Sequence, residues 1–244
     1  RMSEKFVKMD DVDLDGARPT VAVVGLGFVG VAMVAALITA RCKDGSARFN
    51  VVGIDQKNVE GRDKVHLVSE GRSPIQTTDI SIAEALRNGR WEGNLSATTD
   101  LDVLQSADVI VIDINLDVQS GTTPLSSYSI DPRKYLNFVS EVGRRMPEHA
   151  LVVVETTVPP GFTEQEIRPV LERAFEQREM NPRDLRLVHS YERVMPGKNY
   201  LASINNYFRV YSGINDQSNC EAKKFFEGFI NTKQFPLTKL GTPT

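Results

Sequence analysis

Three glycines, Gly25, Gly27 and Gly30, have the spacing that a binding site for a dinucleotide pyrophosphate requires. They follow one short apolar run and open a second, which is the context in which a strand turns into a helix. Gly25 would allow the tight turn, Gly27 would let the backbone approach the phosphates, and Gly30 would let helix and strand pack closely. The N–H groups of Phe28 and Val29 at the helix start would bind phosphate oxygens. The spacing therefore predicts a dinucleotide site.

Asp55 ends the next apolar run, VVGID, and supplies a carboxylate for the same site. A carboxylate in this position accepts hydrogen bonds from ribose hydroxyls and repels a 2'-phosphate, so NAD is favoured over NADP. Lys57 keeps NADP from being excluded outright. Asp55 lies further from the glycines than usual because residues 41–50 form a polar insertion. The alternative is that the glycines are ordinary turn residues and Asp55 only a cap.

The elements that must position these residues follow from the alternation of short Val, Ile and Leu runs with longer helix-like segments. That alternation is typical of βαβ units, and continuously apolar strands are typical of a parallel sheet with both faces covered. The sequence therefore predicts an α/β fold, a single domain with a doubly wound, mostly parallel Rossmann-like sheet and helices on both faces. Helices are expected to begin at Asp131-Pro132 and at Pro159-Pro160.

The composition argues against several classes of protein and site. The net charge is −3 and no basic cluster occurs, which argues against a nucleic-acid partner. No apolar run approaches the ~20 residues of a membrane span and no signal peptide is recognisable, so we expect a cytoplasmic protein without a membrane partner. Cys42, Cys220 and the three histidines are scattered, so neither a disulfide framework nor a metal site is expected. His189 is expected to be structural.

The later segments add a specific resemblance. The chain resembles the UDP-glucose/GDP-mannose dehydrogenase family, in order, over nearly everything from residue 20 to residue 244. The segments that carry it are VAVVGLGFVG, VVGID, GRSPI, ADVIVIDINLDV, VVVETTVPPGFTE and HSYERVMPGKNY. The resemblance implies the N-terminal NAD-binding domain of a nucleotide-sugar 6-dehydrogenase.

Thr157 lies in the TTVPPG segment, which follows a predicted strand at the edge where ligands bind in open α/β sheets. The resemblance implies that Thr157 contacts the cofactor and the reacting region beside a catalytic water. Its alternative role is a helix cap. At an earlier strand end, Asn115-Leu116-Asp117 replaces the family's Pro-Thr-Pro. Leu116 lacks the hydroxyl that touches the cofactor, so either Asn115 or a backbone group substitutes for it, or NAD binding is weaker.

Glu192 and Arg193 lie in the segment SYERVMPG, which resembles the family's Ser-Pro-Glu segment except that Tyr191 replaces the proline. The resemblance implies that Glu192 is catalytic, positions water or accepts a proton, and contacts the substrate. Arg193 is a candidate for binding the substrate's phosphate or its carboxylate product. The alternative is a solvated ion pair between the two side chains. The ERVMPG continuation is closest to the branch that oxidises UDP-N-acetylhexosamines.

The resemblance also implies the reaction. In the family, the C6 hydroxyl of a UDP-sugar or GDP-sugar is oxidised to the acid in two NAD-dependent steps, through a thioester on a cysteine. Neither Cys42 nor Cys220 has the glycine-rich context of that cysteine, so we expect this chain to be a fragment without turnover. A full-length protein is expected to form a homodimer or a higher homo-oligomer.

The expected organisation is an acidic, mobile leader over residues 1–19, the NAD-binding domain over 20–239, and the start of a connection to a central helix and C-terminal domain over 240–244. Two alternative functions remain open from the sequence. One is a stand-alone NAD-binding or sensing module. The other is a β-hydroxyacid-type dehydrogenase of the same fold, for which Lys198 is the only candidate catalytic lysine.

Overall fold

The computed structural model describes residues 18–116, 118–120, 128–191 and 197–241, with only the backbone at 118–120 and 128–130. The strands are β1 (Thr20–Val24), β2 (Asn50–Ile54), β3 (Leu95–Thr98), β4 (Val109–Ile112), β5 (Val118–Ser120), β6 (Tyr128–Ile130), β7 (Leu151–Val154), β8 (Arg186–His189), β9 (Val210–Gly213) and β10 (Thr238–Lys239). The α-helices are α1 (Phe28–Thr39), α2 (Val59–Ser69), α3 (Ile80–Glu92), α4 (Arg133–Arg145), α5 (Arg168–Gln177), α6 (Tyr200–Asn205) and α7 (Asp216–Glu227).

Eight strands form one sheet in the order β10-β9-β8-β7-β4-β1-β2-β3. Neighbouring strands are parallel except at the β8–β9 pair, which is antiparallel. From the central β1 the chain moves outwards through β2 and β3, then returns to the other side of β1 for β4 and β7. This reversal creates the switch point at which open α/β sheets bind ligands, beyond the carboxyl ends of β1 and β4. The predicted doubly wound, mostly parallel sheet is confirmed.

Two apolar layers cover the two faces of the sheet, as the uninterrupted Val and Ile runs predict. In the first core layer α1, α3, α6 and α7 pack on the sheet, and α1 is buried along almost its whole length because it is apolar on every side. In the second core layer α4 and α5 cover the opposite face. The prediction of helices on both faces is therefore also confirmed. Among the helices that the structure describes, none combines the length and apolarity needed to cross a bilayer.

The helix starts differ in detail from those predicted. The side chain of Asp131 accepts a hydrogen bond from the N–H of Arg133 at 3.1 Å, as a cap should, but Pro132 itself is the N-cap. The prediction that Pro159-Pro160 begins a helix is wrong. Gly161 adopts a φ of +83°, which is not helical, so no helix can run from the two prolines through it. Helical structure begins after Gly161, with a π-helical turn at Thr163–Ile167 that leads into α5.

Candidate active site

The glycine turn lies beyond the carboxyl end of β1. Gly25 has a φ of +104°, and its N–H donates to the carbonyl of Ile54 at 2.8 Å. A Cβ on Gly25 would lie 2.1 Å from the carbonyl oxygen of Asp113, and one on Gly30 would lie 1.7 Å from that of Gly25. A Cβ on Gly27 would meet no atom within 4 Å. Gly25 and Gly30 are therefore required by the fold itself, whereas the bare backbone at Gly27 faces open space.

Helix α1 begins directly at this open space. Gly27 is its N-cap, and the first turn carries no acidic side chain. The first N–H groups of a helix have no partner within the helix, and the helix dipole adds partial positive charge there. Phe28 is 52% exposed and Val29 is half-buried, so the backbone at both residues is close to the surface. The arrangement suits a phosphate group at this helix end.

Asp55 follows β2 and faces the glycine turn. One carboxylate oxygen accepts from the N–H of Leu26 at 2.9 Å, and the other accepts from the N–H of Gln56 at 2.7 Å. The carboxylate therefore holds the glycine turn in place, a role that the sequence does not predict. Its side chain keeps 10% exposure, and an ionised carboxylate has about four acceptor positions, so ribose hydroxyls can still donate to it.

Lys64 is a further residue of this site that the sequence analysis missed. From α2 its ammonium reaches to 3.8 Å from the Asp55 carboxylate and 2.7 Å from that of Glu60. Lys64 and Glu60 line a cavity of about 320 Å³ together with the glycine turn and residues 74–76, of which Pro74 and Ile75 belong to the GRSPI segment. Lys57, considered from the sequence, is exposed. The sequence offers no direct signal for Lys64, since only the packing of α2 brings it to Asp55.

The ends of β4 and β7 form the other side of the switch point. The Thr156 hydroxyl donates to the carbonyl of Ile114 at 2.8 Å, so the two strand ends are joined. Thr157 is exposed beside it, Asn115 is exposed, and Leu116 packs against the second core layer. Leu116 thus offers the site no polar group, and Asn115 presents an accessible polar side chain beside it.

The end of β8 leads to the last predicted site residues. Glu192 and Arg193 lie outside the described residues. Before them, Ser190 is buried, and its N–H and hydroxyl donate to the carbonyls of Val154 and Val210, both at 3.0 Å. This bonding fixes where the segment starts.

His189 is buried beneath the same strand end and forms a hydrogen bond with the hydroxyl of Thr163, with 3.2 Å between Nδ1 and Oγ1. Burial lowers the pKa of His189 from 6.5 to about 4, because the protein interior disfavours the charged ring. The ring is therefore neutral at pH 7. These contacts agree with the structural role expected for His189.

The two cysteines lie away from this edge of the sheet. Cys42 follows the C-terminal end of α1. Cys220 is exposed on α7, which follows β9; because β9 is antiparallel to β8, it ends at the opposite edge of the sheet from the glycine turn. Among the described residues, no group of three or more His, Cys, Asp and Glu side chains could hold a metal ion.

Residues 19–230 match the UDP-glucose/GDP-mannose dehydrogenase family, NAD binding domain. The UDP-N-acetyl-D-mannosamine dehydrogenase of Pyrococcus horikoshii is 29% identical over 215 residues, which are 88% of this chain and 46% of that protein. The GDP-mannose 6-dehydrogenase of Pseudomonas aeruginosa is 30% identical over 156 residues, or 62% of this chain and 31% of that one. A crystal structure of NDP-N-acetyl-D-galactosaminuronic acid dehydrogenase from Methanosarcina mazei Go1 superimposes with a TM-score of 0.78 at 21% identity, covering 93% of this chain and 45% of that one. The chain thus spans at most about half the length of these relatives.

Proposed function

Because the chain belongs to the UDP-glucose/GDP-mannose dehydrogenase family and is its NAD-binding domain, we propose that it forms the cofactor half of a nucleotide-sugar 6-dehydrogenase. The proposed reaction oxidises the C6 hydroxyl of a nucleotide sugar to a carboxylate in two NAD-dependent steps. The observation that supports this best is the glycine turn, where a bare helix start at Gly27 faces open space beside the Asp55 carboxylate.

The residues at the switch point divide into two groups under this proposal. Gly27 and the N–H groups at the start of α1 bind the pyrophosphate, while Asp55 and Lys64 bind the adenosine ribose. NAD, when bound, supplies the hydride acceptor. Lys64 partly offsets the repulsion that Asp55 exerts on a 2'-phosphate, so we propose a preference for NAD over NADP that is clear but not absolute.

The chemistry falls to the ends of β4, β7 and β8. Thr157, exposed at the end of β7, orients the reacting end of the sugar and a water molecule, and Asn115 contacts the cofactor. We assign Glu192 to positioning that water or accepting its proton, and Arg193 to the phosphate or carboxylate of the substrate. The nucleophilic cysteine must come from outside these residues, because neither Cys42 nor Cys220 lies at this edge.

The substrate that we propose is a UDP-N-acetylhexosamine, with UDP-glucose as the second choice. Its support is the ERVMPG segment and the names of the relatives, several of which are UDP-N-acetyl-D-mannosamine dehydrogenases. A reaction that consumes NAD and a nucleotide sugar belongs in the cytoplasm, and the product is a uronic acid donor for polysaccharide synthesis. We propose that the full-length enzyme works as a homodimer or a higher homo-oligomer.

The first experiment titrates this chain with NADH and NADPH and follows nicotinamide fluorescence. We expect saturable NADH binding and at least about tenfold weaker NADPH binding. Asp55→Ala should weaken NADH binding by about 10-fold to 100-fold, since hydrogen bonds to a charged group contribute about 1.5 to 3 kcal/mol each. Asp44→Ala is the matched control, because Asp44 also accepts a backbone N–H, at 2.9 Å, but in the loop beyond the C-terminal end of α1. Absence of NADH binding would contradict the proposal.

The second experiment resolves the reaction. The full-length protein is incubated with NAD and, separately, UDP-glucose, UDP-N-acetylglucosamine, UDP-N-acetylmannosamine and GDP-mannose, and NADH formation is recorded. Two NADH per sugar oxidised is the expected result. NADH binding without turnover of any nucleotide sugar would favour the stand-alone binding or sensing module, and turnover of a β-hydroxyacid instead would favour the other alternative.

A further inference from the structure

A buried ion pair lies at the end of β7, next to the segment that carries Thr157. Glu155 immediately precedes Thr156 and Thr157, and its side chain is fully buried. Its carboxylate receives a hydrogen bond of 2.5 Å from Nη1 of Arg209, whose side chain is only 6% exposed. The Arg209 guanidinium also lies over the ring of Phe226, 5.3 Å from its centroid. Both charges are thus removed from water in the first core layer.

Fold stability alone is a poor explanation for this pair. Removing two charges from water is costly, and an apolar pair of similar volume is often equally or more stabilising. Arg209 and Glu155 are 54 positions apart in the sequence, so the pair does not serve a local turn or a helix end. What it does provide is a directional contact with a defined geometry between two strand ends.

The ion pair lies where three neighbouring strands meet the site edge of the sheet. Strand β8 lies between β7 and β9, so an ion pair from the end of β7 to the start of β9 spans the end of β8. Ser190, at that end, is itself bonded to Val154 of β7 and to Val210 of β9. Residues 192–196 follow directly. The pair therefore joins β7, which leads to Thr157, to β9 across the end of β8, from which the chain continues to Glu192.

We propose that Glu155 and Arg209 are positioning residues for the dehydrogenase reaction. They hold the end of β7, which leads to Thr157, at a fixed separation from the end of β8, from which the chain continues to Glu192. This inference rests on the proposed function. It predicts that replacing the pair by uncharged residues lowers turnover more than it lowers the free energy of unfolding.

The decisive variants are Glu155→Gln, which leaves Arg209 buried without its counter-charge, and the double variant Glu155→Gln/Arg209→Met, which removes both charges. Leu185→Ala is the matched control, because Leu185 is fully buried immediately before β8, at the opposite end from Ser190. Urea midpoints are measured for all three. The single variant is expected to be the least stable of the pair variants, and the double variant is expected to recover most of the wild-type midpoint.

Hydrogen exchange of this chain provides the first readout and does not depend on the reaction. In the double variant, amides in peptides covering 156–163 and 186–199 should exchange at least about tenfold faster than in the wild type, while peptides from β1 and α1 stay unchanged. Unchanged exchange in both loops would overturn the inference. So would an equal increase over the whole chain, which is what a merely structural role predicts.

Turnover of the full-length protein provides the second readout. The double variant should lose on the order of 100-fold in kcat with KM for NAD within about threefold, since misplacement of catalytic groups by about 1 Å can have that effect. Recovery of kcat together with the urea midpoint, or an equal loss in Leu185→Ala, would overturn the inference. If the wild type turns over no nucleotide sugar, the proposed function fails, whereas the exchange experiment still decides whether the pair holds the two loops.

Discussion

Protonation of His189 should make the folding of this protein sensitive to pH between about 7 and 4. The pKa of His189 is about 4 in the folded state, against 6.5 for an unperturbed histidine, because burial disfavours the charged ring. Between these two values the unfolded chain binds more protons than the folded one. The stabilising contribution is therefore present in full above pH 6.5 and is lost as the pH falls towards 4.

The size of the effect follows from the same two values. Linkage between protonation and folding gives a loss of about 2 kcal/mol between pH 7.5 and pH 5, and about 3 kcal/mol by pH 4, where the effect levels off. For a chain of this length, 2 kcal/mol corresponds to a fall of about 4 to 8 °C in Tm. Since His189 is only 6% exposed, solvent screening reduces these figures little.

The assay is urea unfolding at intervals of half a pH unit for the wild type, His189→Asn and His149→Asn. Asparagine places a polar atom near the position of Nδ1 and so keeps a partner for Thr163, but it does not titrate. His149 is the control because its side chain is 60% exposed. We expect the difference in unfolding free energy between wild type and His189→Asn to change by about 2 kcal/mol from pH 7.5 to pH 5. A difference that stays constant within about 0.5 kcal/mol would refute the reasoning.

Four further substitutions and one control test other parts of the structure. Gly27→Ala should lower the free energy of unfolding by less than about 1 kcal/mol yet weaken NADH binding at least about tenfold. Gly30→Ala should unfold the protein, because its Cβ would lie 1.7 Å from a carbonyl oxygen. Gly241→Ala is the control, and equal effects of the Gly27 and Gly30 substitutions would contradict the assignment. Leu116→Thr should tighten NADH binding about 3-fold to 10-fold by fluorescence titration, and an unchanged affinity would show that Leu116 does not limit binding. Asp79→Ala should lower the free energy of unfolding in urea by about 2 kcal/mol, because Asp79 accepts backbone N–H groups at the starts of both α3 and α6.

The fold could be predicted because its central strands are apolar on both faces, a pattern that few other structures explain. Strand β3 could not be predicted, because it lacks the apolar run that marks the central strands. It is the edge strand Leu95–Thr98, its residues are half-buried or exposed, and its sequence LSAT has no apolar run. The direction of β9 was also not predictable, since a strand's sequence does not state whether its neighbour is parallel.

The glycine turn could be predicted because its backbone requirement at Gly25 and Gly30 is visible in the sequence. It was not predicted where the function of a side chain depends on a tertiary contact. Asp55 was expected to bind ribose, and the structure adds that it holds the glycine turn through Leu26. Glu155 ends an apolar run and resembles any other strand-end carboxylate until Arg209, far along the chain, is placed beside it.

The central position of β1 also has a consequence for the order of folding. Its pairing with β2 joins Val21 to Val51, whereas its pairing with β4 joins Val21 to Val109, supported by the bond from Thr20 to Asp108 across 88 positions. Closing the longer loop costs more entropy and is slower, so we expect the β1-to-β3 half to form first as the chain emerges from the ribosome. That half already contains the glycine turn, Asp55 and Lys64. On this route a nascent chain acquires the turn that we propose binds phosphate before the strands to which we assign the chemistry exist, and cofactor that binds this turn would favour the early intermediate by mass action.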